Sequence, residues 1–271
     1  MSNNKIAIFD FDATIINDNS DTYINELLLE KHHAHREHQG REHDQLSEVD
    51  LRRHILPYSI EELYAVYNWP TRMNAAFDHM SYELNCQKDE ILDKIKQIKI
   101  KESMKNLLRT LVARGYSLHI VSDANKLFIE IILKENEILD LFEGRIKSNE
   151  AFVDKKGILK IRPYYLDNKS DKLPYNCTYC CEDCGQPSLC KRDVVKKLLE
   201  CLPSDRHVIY AGDGRNDFCP GLELEQNDYY FVRKGYNLDR YLENRENLAQ
   251  IRANVKYWND ANDILSQLNL N

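Results

Sequence analysis

Four short apolar runs constrain this chain more than anything else in it: Ile6 to Phe9, Leu118 to Val121, Val208 to Ala211 and Tyr229 to Val232. Each is too short for a helix and is rich in β-branched or aromatic residues, so each reads as a strand buried on both faces. Helical spacing fills intervals between them. Leu127, Phe128, Ile131 and Ile132 form one apolar stripe, and Val194, Val195, Leu198, Leu199 and Leu202 form another. Strands alternating with helices specify a parallel sheet with right-handed crossovers. The expected fold is α/β, a Rossmann-like parallel sheet with helices on both faces.

One interval breaks the rhythm. From about Asn17 to Ile98 there is no convincing strand, and the apolar residues Leu63, Tyr64, Tyr67, Trp69, Met73, Phe77 and Met80 follow helical spacing. This stretch reads as a helical insertion with its own apolar set. It divides the chain into an α/β core of residues 1–16 and 98–271 and an inserted helical segment of residues 17–97. His32, His33, His35, His38 and His43 cluster inside it among Arg36, Glu37, Arg41 and Glu42. Charge-mixed runs of this kind are usually solvated faces rather than metal sites.

Acidic residues stand where three of these strands end. "IAIF" runs into Asp10 and Asp12, "HIVSDAN" places Ser122 and Asp123 after the second strand, and "IYAGDGRND" places Asp213 and Asp217 after the third. Parallel strands bring their carboxyl ends to one edge, where open α/β sheets bind ligands. Grouped carboxylates repel one another unless a cation neutralises them, and Mg²⁺ takes oxygen ligands from one or two carboxylates together with phosphate and water. A DxD pair or a GDG turn alone is a weak signal; their joint placement is strong.

The composition narrows the partner. The 271 residues carry a net charge of −7, which disfavours nucleic acid and anionic membranes, so a small molecule is the expected ligand. Met1 leads into the first strand within five residues, and no stretch is apolar enough to span a bilayer, so a cytoplasmic protein without signal peptide or membrane anchor is expected. Of eight cysteines, five lie between Cys177 and Cys190, which suits thiols or metal ligands better than a secretory disulfide framework.

The motifs "FDFDATI", "IVSDAN" and "GDGRNDFCP" resemble those of the haloacid dehalogenase superfamily of phosphohydrolases. The "SD" of "DNSD" at Ser20 and Asp21, together with "SDAN" and "CK", is similar to its phosphoethanolamine/phosphocholine phosphatase and pyridoxal phosphate phosphatase branch. The resemblance spans nearly the whole chain and is weakest in the insertion. It implies a cap that opens on hinges, near Ile16 to Asn19 and Ile98 to Glu102. It implies Asp10 as nucleophile, Asp12 as general acid and base, Ser122 as a phosphate donor and Lys191 as the balancing cation. Mg²⁺ would be held by Asp10, the backbone carbonyl of Asp12 and Asp213, with Asp217 as ligand or support. Lys155, Lys156 and Lys172 compete with Lys191 for its role, and Ser122 could instead cap the helix starting near Asn125.

Two features go beyond that scheme. Cys177-x2-Cys180 overlaps Cys181-x2-Cys184 ahead of Cys190, and four thiolates such as Cys177, Cys180, Cys184 and Cys190 could bind a structural Zn²⁺; reduced thiols are the alternative. Asp21 and Asp123 are not needed for phosphoryl chemistry, so they are candidates for binding a cationic leaving group, unless each simply caps a helix. The function expected is a Mg²⁺-dependent phosphomonoesterase acting on a small phosphorylated metabolite, phosphoethanolamine or phosphocholine being favoured. A pyridoxal phosphate phosphatase, a pyrophosphatase or phosphotransferase on the same scaffold, and a non-catalytic zinc-clip binding protein are the alternatives.

Overall fold

The computed structural model describes residues 4–38, 69–164 and 189–270. Strand β1 (Lys5–Phe9) is followed by helices α1 (Asn25–His38), α2 (Trp69–Tyr82), α3 (Lys88–Ile95) and α4 (Glu102–Ala113). Then come β2 (Ser117–Asn125), α5 (Lys126–Glu135), β3 (Ile146–Val153), β4 (Leu159–Arg162) and α6 (Lys191–Glu200). The chain finishes with β5 (His207–Gly212), α7 (Phe218–Gly221), β6 (Tyr229–Arg233), α8 (Asn237–Leu242), α9 (Arg245–Leu248), β7 (Asn254–Trp258) and α10 (Ala261–Gln267).

The strands form one sheet in the order β4-β3-β2-β1-β5-β6-β7, parallel throughout except for the β3–β4 hairpin. Alternation along β1 explains its central place. Ala7 and Phe9 join an apolar layer with α4, α5 and α10, whereas Ile6 and Ile8 join the opposite layer with α6, α7 and α8. All four strands expected from the sequence are present. β3, β4 and β7 lie towards the flanks, where half-exposed residues dilute the apolar signal.

The chain builds outward from β1 through β2 to one side and returns through β5 to the other. The β1–β5 junction is therefore the topological switch point, the place where open α/β sheets bind ligands at the strands' carboxyl ends. Phe9 pairs with Ala211, and the Asp10 N–H continues the ladder by donating to the Ala211 carbonyl at 2.9 Å.

The described part of the insertion is helical, as expected, but it has no separate core. Met73, Phe77 and Met80 of α2 and Ile91 and Ile95 of α3 join the layer beneath β1 and β2. Phe77 meets Phe128 of α5 edge-to-face, with centroids 6.2 Å apart. The Asn74 amide also closes the open edge of β4, donating to the Ile161 carbonyl and accepting its N–H. Leu63, Tyr64, Tyr67 and His43 lie outside the described residues; α1 runs through the other four histidines of the cluster.

Candidate active site

Asp10 and Asp12 leave β1 on a tight turn. The Phe11 carbonyl accepts from the N–H groups of Thr14, Ile15 and Ile16, and the Ala13 N–H donates to the Asp18 carbonyl. Ala13 adopts φ 49°, the left-handed region that an alanine seldom occupies. The turn carries Asp12 to where its carboxylate accepts the Ser20 N–H at 2.9 Å. Thr14 donates from its hydroxyl to Asp213 at 3.1 Å, tying this turn to the end of β5.

Lys191 is the first residue of α6, yet it is only 2% exposed. Its ammonium lies 2.7 Å from Asp10 and 2.8 Å from Asp217. That burial removes the surface-lysine reading, and Lys156, one of its sequence competitors, instead donates to the exposed Tyr82 hydroxyl. Burial alone would depress the Lys191 pKa, but Asp10, Asp217 and Asp123 outweigh it and raise the pKa.

Asp217 is fully buried and fully engaged. One carboxylate oxygen accepts the N–H groups of Asp213 and Gly214; the other accepts Lys191 and the Tyr210 hydroxyl. Gly212 has to be glycine, because a Cβ there would lie 2.4 Å from the Asp217 carboxyl carbon. The saturated oxygens favour a supporting role for Asp217 over direct metal ligation. Oxygens of Asp10, Asp213 and Asp217 nevertheless lie within 4.8 Å of one another.

Electrostatic frustration marks the cluster. Burial lifts Asp10 to about 7 against the pull of Lys191, with Asp217 adding to the rise. Burial, followed by repulsion from Asp10 and Asp217, lifts Asp213 to about 8. Three carboxylates facing one ammonium leave uncompensated negative charge, and their oxygen-only donors fit a hard divalent cation.

On the other flank sit Asp12, Asp21 and Asp123. Asp21 is 2% exposed; its carboxylate accepts from the Trp69 indole of α2 and, at 3.0 Å, from the Asn125 amide. Asp123 accepts from the Asn216 amide at 2.8 Å. Asp123 does not match the capping alternative for the core helix, since Asn125 caps α5 through the Phe128 N–H. The same bond corrects the alternative for Ser122, whose hydroxyl accepts from Ala124 N at 3.3 Å, just where β2 slips register against β3. Burial, then Asp21, pushes Asp12 well up, and burial pushes Asp21 to about 6.

Thr14, Tyr210, Trp69, Asn125 and Asn216 were not singled out from the sequence. Thr14 and Asn216 lay inside quoted motifs, whereas nothing local marked Trp69 as a partner of Asp21. Of the candidate zinc ligands, Cys177, Cys180 and Cys184 lie outside the described residues, and Cys190 is buried as the residue before α6.

The family model described as Putative Phosphatase matches residues 44–270. The chain belongs to that family. It is a phosphatase of the haloacid dehalogenase superfamily. Its relatives include inorganic pyrophosphatase 1 of Arabidopsis thaliana, 32% identical over 93% of this chain and 74% of that protein. A thiamine phosphate phosphatase-like protein of the same plant is 30% identical, covering 97% of this chain and 94% of its own. The mouse pyridoxal phosphate phosphatase PHOSPHO2 is 27% identical, covering 97% and 96%. Among solved structures, a phosphoserine phosphohydrolase-like protein from Francisella tularensis aligns with TM-score 0.55 at 14% identity, over 97% of this chain and 99% of that one. A phospho-aspartyl intermediate analogue of phosphoserine phosphatase aligns with TM-score 0.52 at 14% identity, over 98% and 99%. These two likenesses concern the fold. Among the described residues, no helix of this phosphatase is long and apolar enough to cross a membrane.

Proposed function

We propose that this phosphatase is a Mg²⁺-dependent phosphomonoesterase that forms an aspartyl-phosphate on Asp10. The observation that carries the reading is Lys191, buried and bridging Asp10 to Asp217 beside Asp213. A carboxylate held by a buried ammonium at a switch point is a nucleophile that is aimed, and whose ionised form the ammonium favours against burial. Asp10, the Asp12 carbonyl and Asp213 would hold the metal, with Asp217 supporting Lys191 and the β5 turn. Bound there, Mg²⁺ would screen the anionic nucleophile from the anionic phosphate.

A carboxylate oxygen of Asp10 attacks phosphorus as the ester P–O bond breaks, and the Asp12 carboxyl gives its proton to the departing oxygen. Asp12 then takes a proton from water as that water attacks the phosphorus of the aspartyl-phosphate, releasing inorganic phosphate and restoring Asp10. The raised pKa of Asp12 suits the first half of this cycle, which needs a protonated acid. Ser122 donates to a phosphoryl oxygen and Lys191 spreads the equatorial charge. Residues 17–97 act as the helical cap over this core of residues 1–16 and 98–271.

The substrate class follows from the flank lined by Asp12, Asp21 and Asp123. Three acids on one flank, two of them hydrogen-bonded by neutral amides and an indole, disfavour a second phosphate and favour a phosphate ester of a cationic alcohol. Phosphoethanolamine and phosphocholine are the favoured members. The relatives named for thiamine phosphate and pyridoxal phosphate keep those esters in the test, and the pyrophosphatase relatives add pyrophosphate. A turnover panel of these five substrates, with and without Mg²⁺, decides. The cationic esters should lead by about tenfold in kcat/KM. Pyrophosphate or pyridoxal phosphate in front would overturn the substrate class, and full activity in excess EDTA would overturn the metal.

A further inference from the structure

We infer that Arg233 is a positioning residue that fixes the turn presenting Asp12. Arg233 closes β6 and is 6% exposed. Its guanidinium donates to the Ala13 carbonyl and, at 2.6 Å, to the Asn17 side-chain oxygen, so one planar fork grips both sides of the turn that follows Asp12. The Tyr236 ring lies 4.5 Å from it and the Trp258 ring 5.1 Å. Among the described residues no carboxylate pairs with it. A buried cation held by a neutral carbonyl, an amide and two aromatic faces contributes little net stability, because its desolvation offsets those contacts. Its geometric consequence is larger.

Ala13 occupies the left-handed region without being glycine, so the turn has to be held in place by its surroundings. The Ala13 N–H reaches Asp18, the Ala13 carbonyl takes Arg233, and the Asp12 carboxylate takes the Ser20 N–H. Loosening the Arg233 end lets the turn relax and moves the acid away from the leaving oxygen. Asp10 stays in place, since the ladder to Ala211 and Lys191 hold it independently. Arg233 thus serves the proton-transfer half of the chemistry and leaves the nucleophile alone.

This rests on the assignment of Asp12 as the acid, and the experiment separates the two. Protein with Mg²⁺ is assayed for kcat/KM, which reports the steps up to the aspartyl-phosphate, on phosphoethanolamine and on p-nitrophenyl phosphate. The alkoxide of the first needs a proton; the nitrophenolate of the second leaves without one. Arg233→Met should lose about 100-fold on phosphoethanolamine and less than about fivefold on the aryl ester. Arg233→Lys, with charge but no fork, should fall between wild type and Arg233→Met. Asn17→Ala removes one acceptor at an exposed position and should show the same selectivity at about fivefold, which decides the matter if the Arg233 variants do not fold. Asp12→Asn is the reference. If it shows no leaving-group selectivity, the acid assignment fails. If Asp12→Asn is selective while folded Arg233 variants, or Asn17→Ala in their place, lose equally on both esters or nothing on either, the positioning role is overturned.

Discussion

The two halves of the acidic edge treat negative charge in opposite ways. Asp10, Asp213 and Asp217 gather beside a buried lysine, which bridges Asp10 to Asp217, with carboxylate oxygens within 4.8 Å of one another. Asp12 and Asp21 accept from a backbone N–H, an amide and an indole, which hydrogen-bond a carboxylate without cancelling it, and Asp123 beside them accepts from the Asn216 amide. On the proposed reading, the first half would bring two anions together, nucleophile and phosphate, and the second would accept something carrying protons or positive charge. Both use aspartate, and the surroundings decide which task it performs.

The hardest test of the first half is Asp10→Asn. The amide keeps the shape but cannot attack phosphorus, so turnover should fall by at least ~10⁴-fold while the melting temperature holds within a few degrees. Turnover close to wild type would mean that the lysine-bridged carboxylate is not the nucleophile.

Metal dependence comes next in size. Chelation should remove activity by about 10³-fold, and Mg²⁺ alone should raise the melting temperature by binding the folded state. Asp213→Ala should abolish that thermal shift, because it deletes one of the three convergent oxygens. A Mg²⁺-dependent shift that persists in Asp213→Ala would place the metal elsewhere.

The second half is tested by selectivity rather than by total loss. Asp21→Asn and Asp123→Asn should each lower kcat/KM for phosphoethanolamine by about tenfold more than for a neutral aryl phosphate. Equal losses on both substrates would reduce these acids to scaffolding and erase the contrast between the halves.

Much of this was legible in the chain because buried strands announce themselves. β1, β2, β5 and β6 are apolar on both faces, and their terminal acids stand out against those runs. β4 has only four residues, and β3 buries Ser148 and Asn149 where apolar residues would be expected, so neither produces a strand pattern. The gathering of Asp10, Asp213 and Asp217 at one edge could be read from position alone. The burial of Lys191 could not, since a lysine opening a helix looks solvated until Asp10 and Asp217 are folded onto it. Asn125 hid two tasks in one side chain, capping α5 with its oxygen and holding Asp21 with its nitrogen. Arg233 was invisible for a simpler reason: both of its acceptors lie at the other end of the sequence.

The smallest expected effect separates the halves by stability alone. Burial lifts Asp21 from 3.8 to about 6, its bonds to Trp69 and Asn125 reducing the rise. A carboxyl whose folded pKa exceeds its unfolded one binds protons more readily in the folded state, so its ionisation destabilises the protein above pH 6 and ceases to do so below pH 4. The shift corresponds to up to about 3 kcal/mol at pH 8. Asp21→Asn removes that penalty but leaves one of the two donors facing an amide N–H₂, which costs about 1–2 kcal/mol. The variant should therefore melt a few degrees higher than wild type at pH 8, and the advantage should shrink or reverse at pH 4. Lys191→Met should do the opposite at pH 8, since removing the bridge leaves Asp10 and Asp217 buried and unpaired. If Asp21→Asn gains stability as the pH falls, the charge on that flank is compensated after all, and the two halves are alike.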